Sequence, residues 1–431
     1  MWKTSKNIII GVAILTLGMT SCSKNAYDEE KYNKIVKYLS PVDSVDQRHT
    51  WQLTALNTYY FTADAGSDIE TVDVFTDSPL TNADAELMGQ TFISKGETVA
   101  LSVTAPTILK TFYAALVDKS GNYYVTSFDA SATYVSFSEY TMGHPVGSFK
   151  PQTFTYLFEE NFPQPGDYDY NDLVLRISQQ RTGQKEITVN VTIAAIGAMY
   201  HMAGGIRLVG YQYQDIDSVK TTTGESFNDG VPAPSLYMFD KTDLLVEGRN
   251  KEAVINLFVD AHWAMAFNVS VDYGLFQRKK YNVSTSTGDN YQLRSTRSLS
   301  YVIYFKDDFK NKTDLDLDNF TLETLDPFII TEYNGGTWET HLDYFRDAQV
   351  LFEYPSPKIK DLPWALKIPS KDFAYPLEGV ELGFKKKTDS GTVAMFGAYV
   401  SWGHSFGEWA EDCTKSLDWY QSQYATSGKV W

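Results

Sequence analysis

The sequence predicts an all-β protein made of two sandwich-like domains with a few short helices, one of them near the C-terminus. Three observations carry this expectation. From Trp51 onward the chain runs as short segments of alternating polar and apolar residues, rich in Val, Thr, Tyr and Phe and bounded by Gly, Asn, Asp and Ser. These segments follow one another at the spacing of sandwich strands. Helical spacing of bulky residues is found in "GEWAEDCTKSLDWYQSQY", where Trp409, Cys413, Leu417 and Tyr420 recur every three or four positions.

The chain begins "MWKTSKNIIIGVAILTLGMTSC", with Lys3 and Lys6 ahead of an apolar stretch from Ile8 to Leu17. Residues 1–21 read as a secretory signal, since a membrane span needs roughly 18 to 20 apolar residues in a row. "GMTSC" resembles a bacterial lipoprotein box with Met19 in place of leucine. The resemblance implies that Cys22 is diacylated, becomes the mature N-terminus and holds the protein to the membrane. Residues 22–48 are polar and charged and read as a tether, with one short helix over Glu29 to Tyr38. The acidic run from Asp28 to Glu30 resembles the export signal of surface lipoproteins in Bacteroidetes, which implies an outer-membrane protein facing outward, with a solvated charge run as the alternative. Lipidation of Cys22 leaves Cys413 as the remaining cysteine, so no intrachain disulfide is expected. Its apolar neighbours predict a buried structural thiol.

The formal charge is −17, and loss of Lys3 and Lys6 with the signal takes it to −19. Such a chain lacks the basic surface that nucleic acid requires. Its charge favours cations or neutral ligands such as glycans.

The first domain is expected over residues 49–146, with strands in "TWQLTALNTYYFTA", "ETVDVFT", "ETVALSVTA", "KTFYAALVD", "NYYVTSFDAS" and "TYVSFSEYT". "KSGN" at 119–122 reads as a hairpin turn, and "GHPVGSFKP" as a linker near residue 147. The second domain, residues 150–431, carries strands in "KEITVNVTIAAIGA", "GGIRLVGYQY", "EAVINLFVD", "LSYVIYFKD" and "GTVAMFGAYVSW".

The densest chemistry lies in "PGDYDYNDLV", residues 165–174. If extended, this segment puts Asp167, Asp169 and Asn171 on one side and Tyr168 and Tyr170 on the other, with Asp172 joining after a bend. Glu159 and Glu160 add charge from just upstream. Like charges packed this closely repel unless a partner compensates them, and hard oxygens at this density suit Ca²⁺, which takes about six to eight ligands. The opening D-x-D-x-N is that of an EF-hand loop, but Asp172 stands where glycine is required and Ser178 where a bidentate glutamate is required. The expectation is a different calcium loop, with a solvated Asx turn as the alternative.

"YLFEENFPQPGDYDYNDLVLRI", "DPFI" at 326–329, "LPWALKIPSKDFAYPLEGVEL" at 362–382 and "DWY" at 418–420 resemble the LruC domain of outer-membrane lipoproteins from Bacteroidetes and Leptospira. The resemblance covers roughly residues 150–431. It implies a divalent-cation loop built from Glu159, Glu160, Asp167, Asp169, Asn171 and Asp172. The family has no settled activity. "TWETHLDYF" keeps the His341 and Leu342 of a further family motif but has Asp343 where proline is usual.

Asp167 and Asp169 at alternate strand positions would lie roughly 6 to 7 Å apart, the separation of paired carboxylates in some glycosidases. A crowd of acids beside turn residues is nevertheless a cation cage before it is an acid/base pair. The six histidines, His49, His144, His201, His262, His341 and His404, show no zinc-site spacing, and packing or surface roles are expected for each. The function these features predict is a lipid-anchored, surface-exposed binding or adhesion module, non-catalytic, with a calcium-stabilised loop. Its expected ligand is a glycan or a host or cell-surface protein. The alternative is a glycan-binding or glycosidase-like surface protein of a polysaccharide-utilisation system.

Overall fold

The computed structural model describes residues 44–230, 245–247, 252–266, 279–286, 288, 290–307, 316–333, 335–348, 361–387 and 393–431. Cys22, the signal, the helix expected over Glu29 to Tyr38 and the tether up to residue 43 lie outside the described residues. None of the described helices is long and apolar enough to cross a membrane.

The fold is all-β. Strands β1 (Thr54–Thr62), β2 (Ile69–Phe75), β3 (Leu87–Phe92), β4 (Thr98–Pro106), β5 (Thr111–Asp118), β6 (Tyr123–Asp129), β7 (Tyr134–Ser136) and β8 (Thr141–Gly143) form two sheets, in the orders β4-β1-β7 and β3-β2-β5-β6-β8. Alternation decides which side chains meet between them. On β1, Tyr59 and Phe61 point inward to join Val72, Val74, Leu101, Val103, Phe112 and Leu116, whereas Leu56, Thr58 and Tyr60 face out. The β5–β6 turn over 119–122 forms as expected, with Val117 opposite Tyr123.

The second unit pairs a six-stranded with a five-stranded sheet. The first has the order β13-β18-β11-β10-β9-β21, from β9 (Thr153–Phe158), β10 (Leu173–Gly183), β11 (Glu186–Ala195), β13 (Ile216–Thr221), β18 (Arg297–Phe305) and β21 (Ala365–Ile368). The other has the order β14-β15-β12-β19-β20, from β12 (Met202–Gln212), β14 (Leu245–Glu247), β15 (Glu252–Phe258), β19 (Leu325–Tyr333) and β20 (Gly336–Thr340). Short pieces complete it: α1 (Ala261–Ala266) and the ribbons β16–β17 (Lys280–Tyr281, Tyr291–Gln292), β22–β23 (Phe384–Lys387, Val393–Phe396) and β24–β25 (Val400–Ser401, His404–Ser405), followed by α2 (Phe406–Glu411).

Part of the six-stranded sheet is buried on both faces. Phe154, Tyr156, Phe158, Leu175 and Ile177 fill the space between the sheets. From the opposite face Leu157, Val174, Ala194 and Ala195 pack against a C-terminal layer that includes Tyr375, Tyr399, Phe406, Trp409 and Trp419. That second layer explains why β9, β10 and β11 carry apolar residues on both sides.

Three expectations need correction. The C-terminal helix stops at Glu411 and does not extend to Tyr420. The Asp412 side chain accepts from the Thr414 N–H at 3.0 Å, and the Cys413 N–H is taken by Asp46 Oδ2 at 3.2 Å, so one local and one distant side-chain bond displace the helical ladder. Ser416 then turns left-handed at φ 47°. Cys413 itself is half-buried and not part of the core.

Residues 44–48, the end of the expected tether, and 49–53, the start of the expected first domain, are docked. The Asp46 N–H donates to the Ala410 carbonyl at 3.0 Å, His49 stacks on Trp51, and Trp51 and Leu53 sit in the C-terminal aromatic layer. The chain therefore docks on the second unit before building the first. The linker is likewise pinned: the Leu87 and Gln152 N–H groups bond to Lys150 and Leu87 carbonyls at 2.9 and 2.8 Å, and Phe149 packs on Phe75. The two units meet where Arg181 contacts Asp318, Thr91 and the Phe92 ring, and where Ser102 donates to Asn319 at 2.9 Å.

Candidate metal centre

The acidic residues lie in the connection from β9 to β10, at the rim where the six-stranded sheet meets the C-terminal layer. The segment is not extended. Tyr168 and Tyr170 both adopt left-handed backbone, φ 61° and 54°, which is uncommon for any residue but glycine, asparagine or aspartate. Packing compensates for it. Both rings are buried in the aromatic layer, and the Tyr170 hydroxyl donates to the Pro363 carbonyl at 2.8 Å. Anchoring the rings turns the N–H groups inward, and the Glu159 carboxylate accepts from Tyr170 N–H at 2.7 Å and from Tyr168 N–H at 3.3 Å. The expected side-by-side arrangement of Asp167, Asp169 and Asn171 on a strand is thus replaced by a coil wound around Glu159.

Glycine makes the winding sterically allowed. A Cβ on Gly166 would lie 1.7 Å from Glu159 Oε2, and a Cβ on Gly197 would lie 1.9 Å from Asn171 Oδ1. Neither is a contact any side chain tolerates.

The structure brings together four of the six residues singled out from sequence. Carboxylate oxygens of Glu159, Asp167 and Asp172 lie within 4.8 Å of one another, and so do those of Asp167, Asp169 and Glu378. Asp167 is exposed and belongs to both groups. Asp169 accepts from the N–H groups of Asn171 at 3.2 Å and Gly379 at 2.7 Å, and Asp172 accepts from Glu160 N–H at 2.8 Å. Glu160 is in neither group. Its carboxylate accepts from Met199 and Tyr200 N–H at 3.0 and 2.7 Å and so ties the loop to the start of β12. Asn171 is fully buried; its amide donates to the Pro376 carbonyl at 3.2 Å, while its Oδ1 has no hydrogen-bond partner.

Glu378 was not singled out from sequence, and no spacing rule pairs it with residues some two hundred positions earlier. It arrives because Gly379 N–H caps Asp169 and Glu378 N–H bonds to the Val283 carbonyl at 2.8 Å. Lys280 reaches its carboxylate from β16.

Burial first, and the neighbouring carboxylates second, push Glu159, Asp169 and Asp172 well above the usual carboxylate range. Burial also raises Glu160 and Glu378. Among the described residues no cation pairs with Glu159, Asp169 or Asp172. Acids in this state either hold protons or share a metal ion. Clustered carboxylate oxygens and the orphaned amide oxygen of Asn171 are the hard donors that such a cation takes.

The histidines take structural positions. His341 is buried between Asp326 at 2.9 Å and Glu339 at 3.1 Å and stacked on Phe328. His201 pairs with Asp260 at 2.5 Å, and His404 with Asp418 at 2.8 Å. Of the four C-terminal tryptophans, Trp409 and Trp419 are core, whereas Trp402 and Trp431 are exposed.

Residues 185–420 match the family described as Domain of unknown function (DUF4842), a stretch that begins after the acidic loop but contains Lys280 and Glu378. A crystal structure of a candidate lipoprotein from Bacteroides ovatus is similar in fold, with a TM-score of 0.50 and 15% identity over 85% of this chain and 99% of that one. No curated protein matches. Because the family match spans more than half of the sequence, the chain belongs to the DUF4842 family.

Proposed function

We propose that this chain is a lipid-anchored cell-envelope protein of the LruC type, held by Cys22 in the outer membrane and facing outward, that serves as a non-catalytic binding or adhesion module stabilised by calcium. The observation that carries the reading is the state of the acidic loop. Glu159, Asp169 and Asp172 are buried and bonded to backbone N–H groups, an arrangement suited to holding an ion and poorly suited to attacking a substrate. The Bacteroides ovatus neighbour, described as a candidate lipoprotein, agrees with anchoring.

Calcium binding to the folded state alone stabilises by RT ln(1 + [L]/Kd), about 2.7 kcal/mol at a hundredfold excess over Kd. At roughly 1 to 2 °C per kcal/mol for a chain of this size, the melting temperature of the full chain should rise by about 3 to 5 °C between EGTA and calcium. Identical transitions in the two buffers would reject the calcium reading.

A glycan is the ligand class that the surface favours. Tyr60 and Tyr134, opposite each other on the parallel β1–β7 pair, expose stacked rings with centroids 5.2 Å apart. They lie beside the hydroxyl pairs Thr58–Ser102 and Thr62–Thr98. Exposed aromatic faces flanked by hydroxyl groups match the apolar face and polar edge of a sugar ring.

A further inference from the structure

Resting on the calcium reading above, we propose that Lys280 limits the acidic loop to a single divalent ion by occupying the outer of its two carboxylate groups. The geometry offers two places for an ion, one among Glu159, Asp167 and Asp172 and one among Asp167, Asp169 and Glu378. Two ions bridged by a shared carboxylate, about 3.5 to 4 Å apart, are a common arrangement in two-metal sites, and Asp167 is placed to be that bridge. What separates the two groups is Lys280. Its ammonium contacts Glu378 Oε1, and the side chain is largely buried.

The lysine is held there by backbone. Tyr281 exchanges both hydrogen bonds with Ile196, at 2.7 and 2.9 Å, directly before the Gly197 that packs on Asn171. The Lys280 N–H donates to the Asn290 carbonyl at 2.8 Å. An ion entering the outer group would have to displace the Lys280 ammonium from Glu378, whose Oε2 has no hydrogen-bond partner, and would share Asp169 with the Asn171 and Gly379 N–H groups it already accepts. The inner group carries no such occupant among the described residues, and Glu159 and Asp172 are its buried members. The ion is therefore assigned to Glu159, Asp167 and Asp172.

The experiment is calcium stoichiometry on the full chain, by equilibrium dialysis and by native mass spectrometry. The wild type should take one ion, Lys280→Met two, and Lys280→Arg, which keeps the charge, one. Wild-type and Lys280→Met proteins both binding one ion with equal affinity would overturn the role of the lysine and leave the calcium reading intact. Two ions on the wild type would overturn it as well. No ion on the wild type would remove the calcium reading itself and this inference with it. Glu378→Gln supplies an arm that keeps the lysine: one ion should remain, with affinity within about threefold of wild type. Loss of that ion in a protein with unchanged circular dichroism would place it in the outer group and overturn the assignment.

Discussion

Gly166→Ala tests the geometry of the loop with one carbon atom. The added Cβ would stand 1.7 Å from Glu159 Oε2 and 2.8 Å from its Cδ, so the carboxylate must leave its position. It would then give up the N–H groups of Tyr170 and Tyr168, which it accepts at 2.7 and 3.3 Å. Without calcium to hold Glu159 ionised, each of these hydrogen bonds contributes about 0.5 to 1.5 kcal/mol, and the longer of the two belongs at or below the bottom of that range. The cost is about 1 to 2 kcal/mol, before any loss of calcium. In differential scanning calorimetry with EGTA this should lower the melting temperature by about 1 to 4 °C. Calcium should no longer raise it, because Glu159 is a member of the inner group. Gly288→Ala is the control: nothing lies within 4 Å of its Cβ position and its φ is ordinary, so a change within about 0.5 kcal/mol is expected. A Gly166→Ala protein that melts like the wild type and keeps its calcium response would refute the coil around Glu159.

Other expectations follow from the same contacts. His341 is held charged by Asp326 and Glu339 against the opposing effect of burial, with its pKa raised to about 9 from 6.5. A raised folded-state pKa contributes stability that is complete below the unfolded value and lost as pH climbs through the folded one. Unfolding free energy should therefore fall by about 3 kcal/mol between pH 6.5 and 9, and denaturant titrations of His341→Gln should show that slope flattened; equal slopes would reject it. Asp318→Ala leaves the Arg181 guanidinium buried without its carboxylate at the junction of the units, at a cost of about 3 to 5 kcal/mol, and should split the calorimetric transition in two. Tyr134→Ala removes a side chain that is 75% exposed, so it should abolish glycan-array binding without shifting the melting temperature; retained binding would remove the tyrosine pair from consideration. Cys22→Ser should release the protein from membranes labelled with a palmitate analogue, and label retained on the variant would contradict anchoring there. Protease shaving of intact cells should remove the wild type, whereas survival until lysis would place it on the inner side.

Much of the architecture was legible before any tertiary contact. Period-two alternation in "TWQLTALNTYYFTA" assigns Tyr59 and Phe61 to one face and Tyr60 to the other, and the sheet keeps that division. Hairpin chemistry at 119–122 was legible as well, because the turn is closed by its own residues. So was the accumulation of acids between Glu159 and Asp172, since composition needs no partner to be read. The C-terminal helix was overextended for the opposite reason. Its apolar spacing is real, but Asp46 claims the Cys413 N–H across 367 residues, and no local pattern announces that bond.

The sequence by itself determined the β class, the negative charge and the crowding of carboxylates, because each depends on residue type and local period alone. Tertiary structure decided which carboxylates come together. Tyr168 and Tyr170 were pulled into left-handed backbone by the aromatic layer beneath them, which moved Asp167, Asp169 and Asn171 off a common strand face. Glu160 was drawn away by the Met199 and Tyr200 N–H groups, while Glu378 and Lys280 were brought in from segments far along the chain. The physical reason is the same in each case. Alternation fixes the parity of a side chain, in or out, but a buried polar group settles where a partner can satisfy it, and here those partners come from other strands and loops.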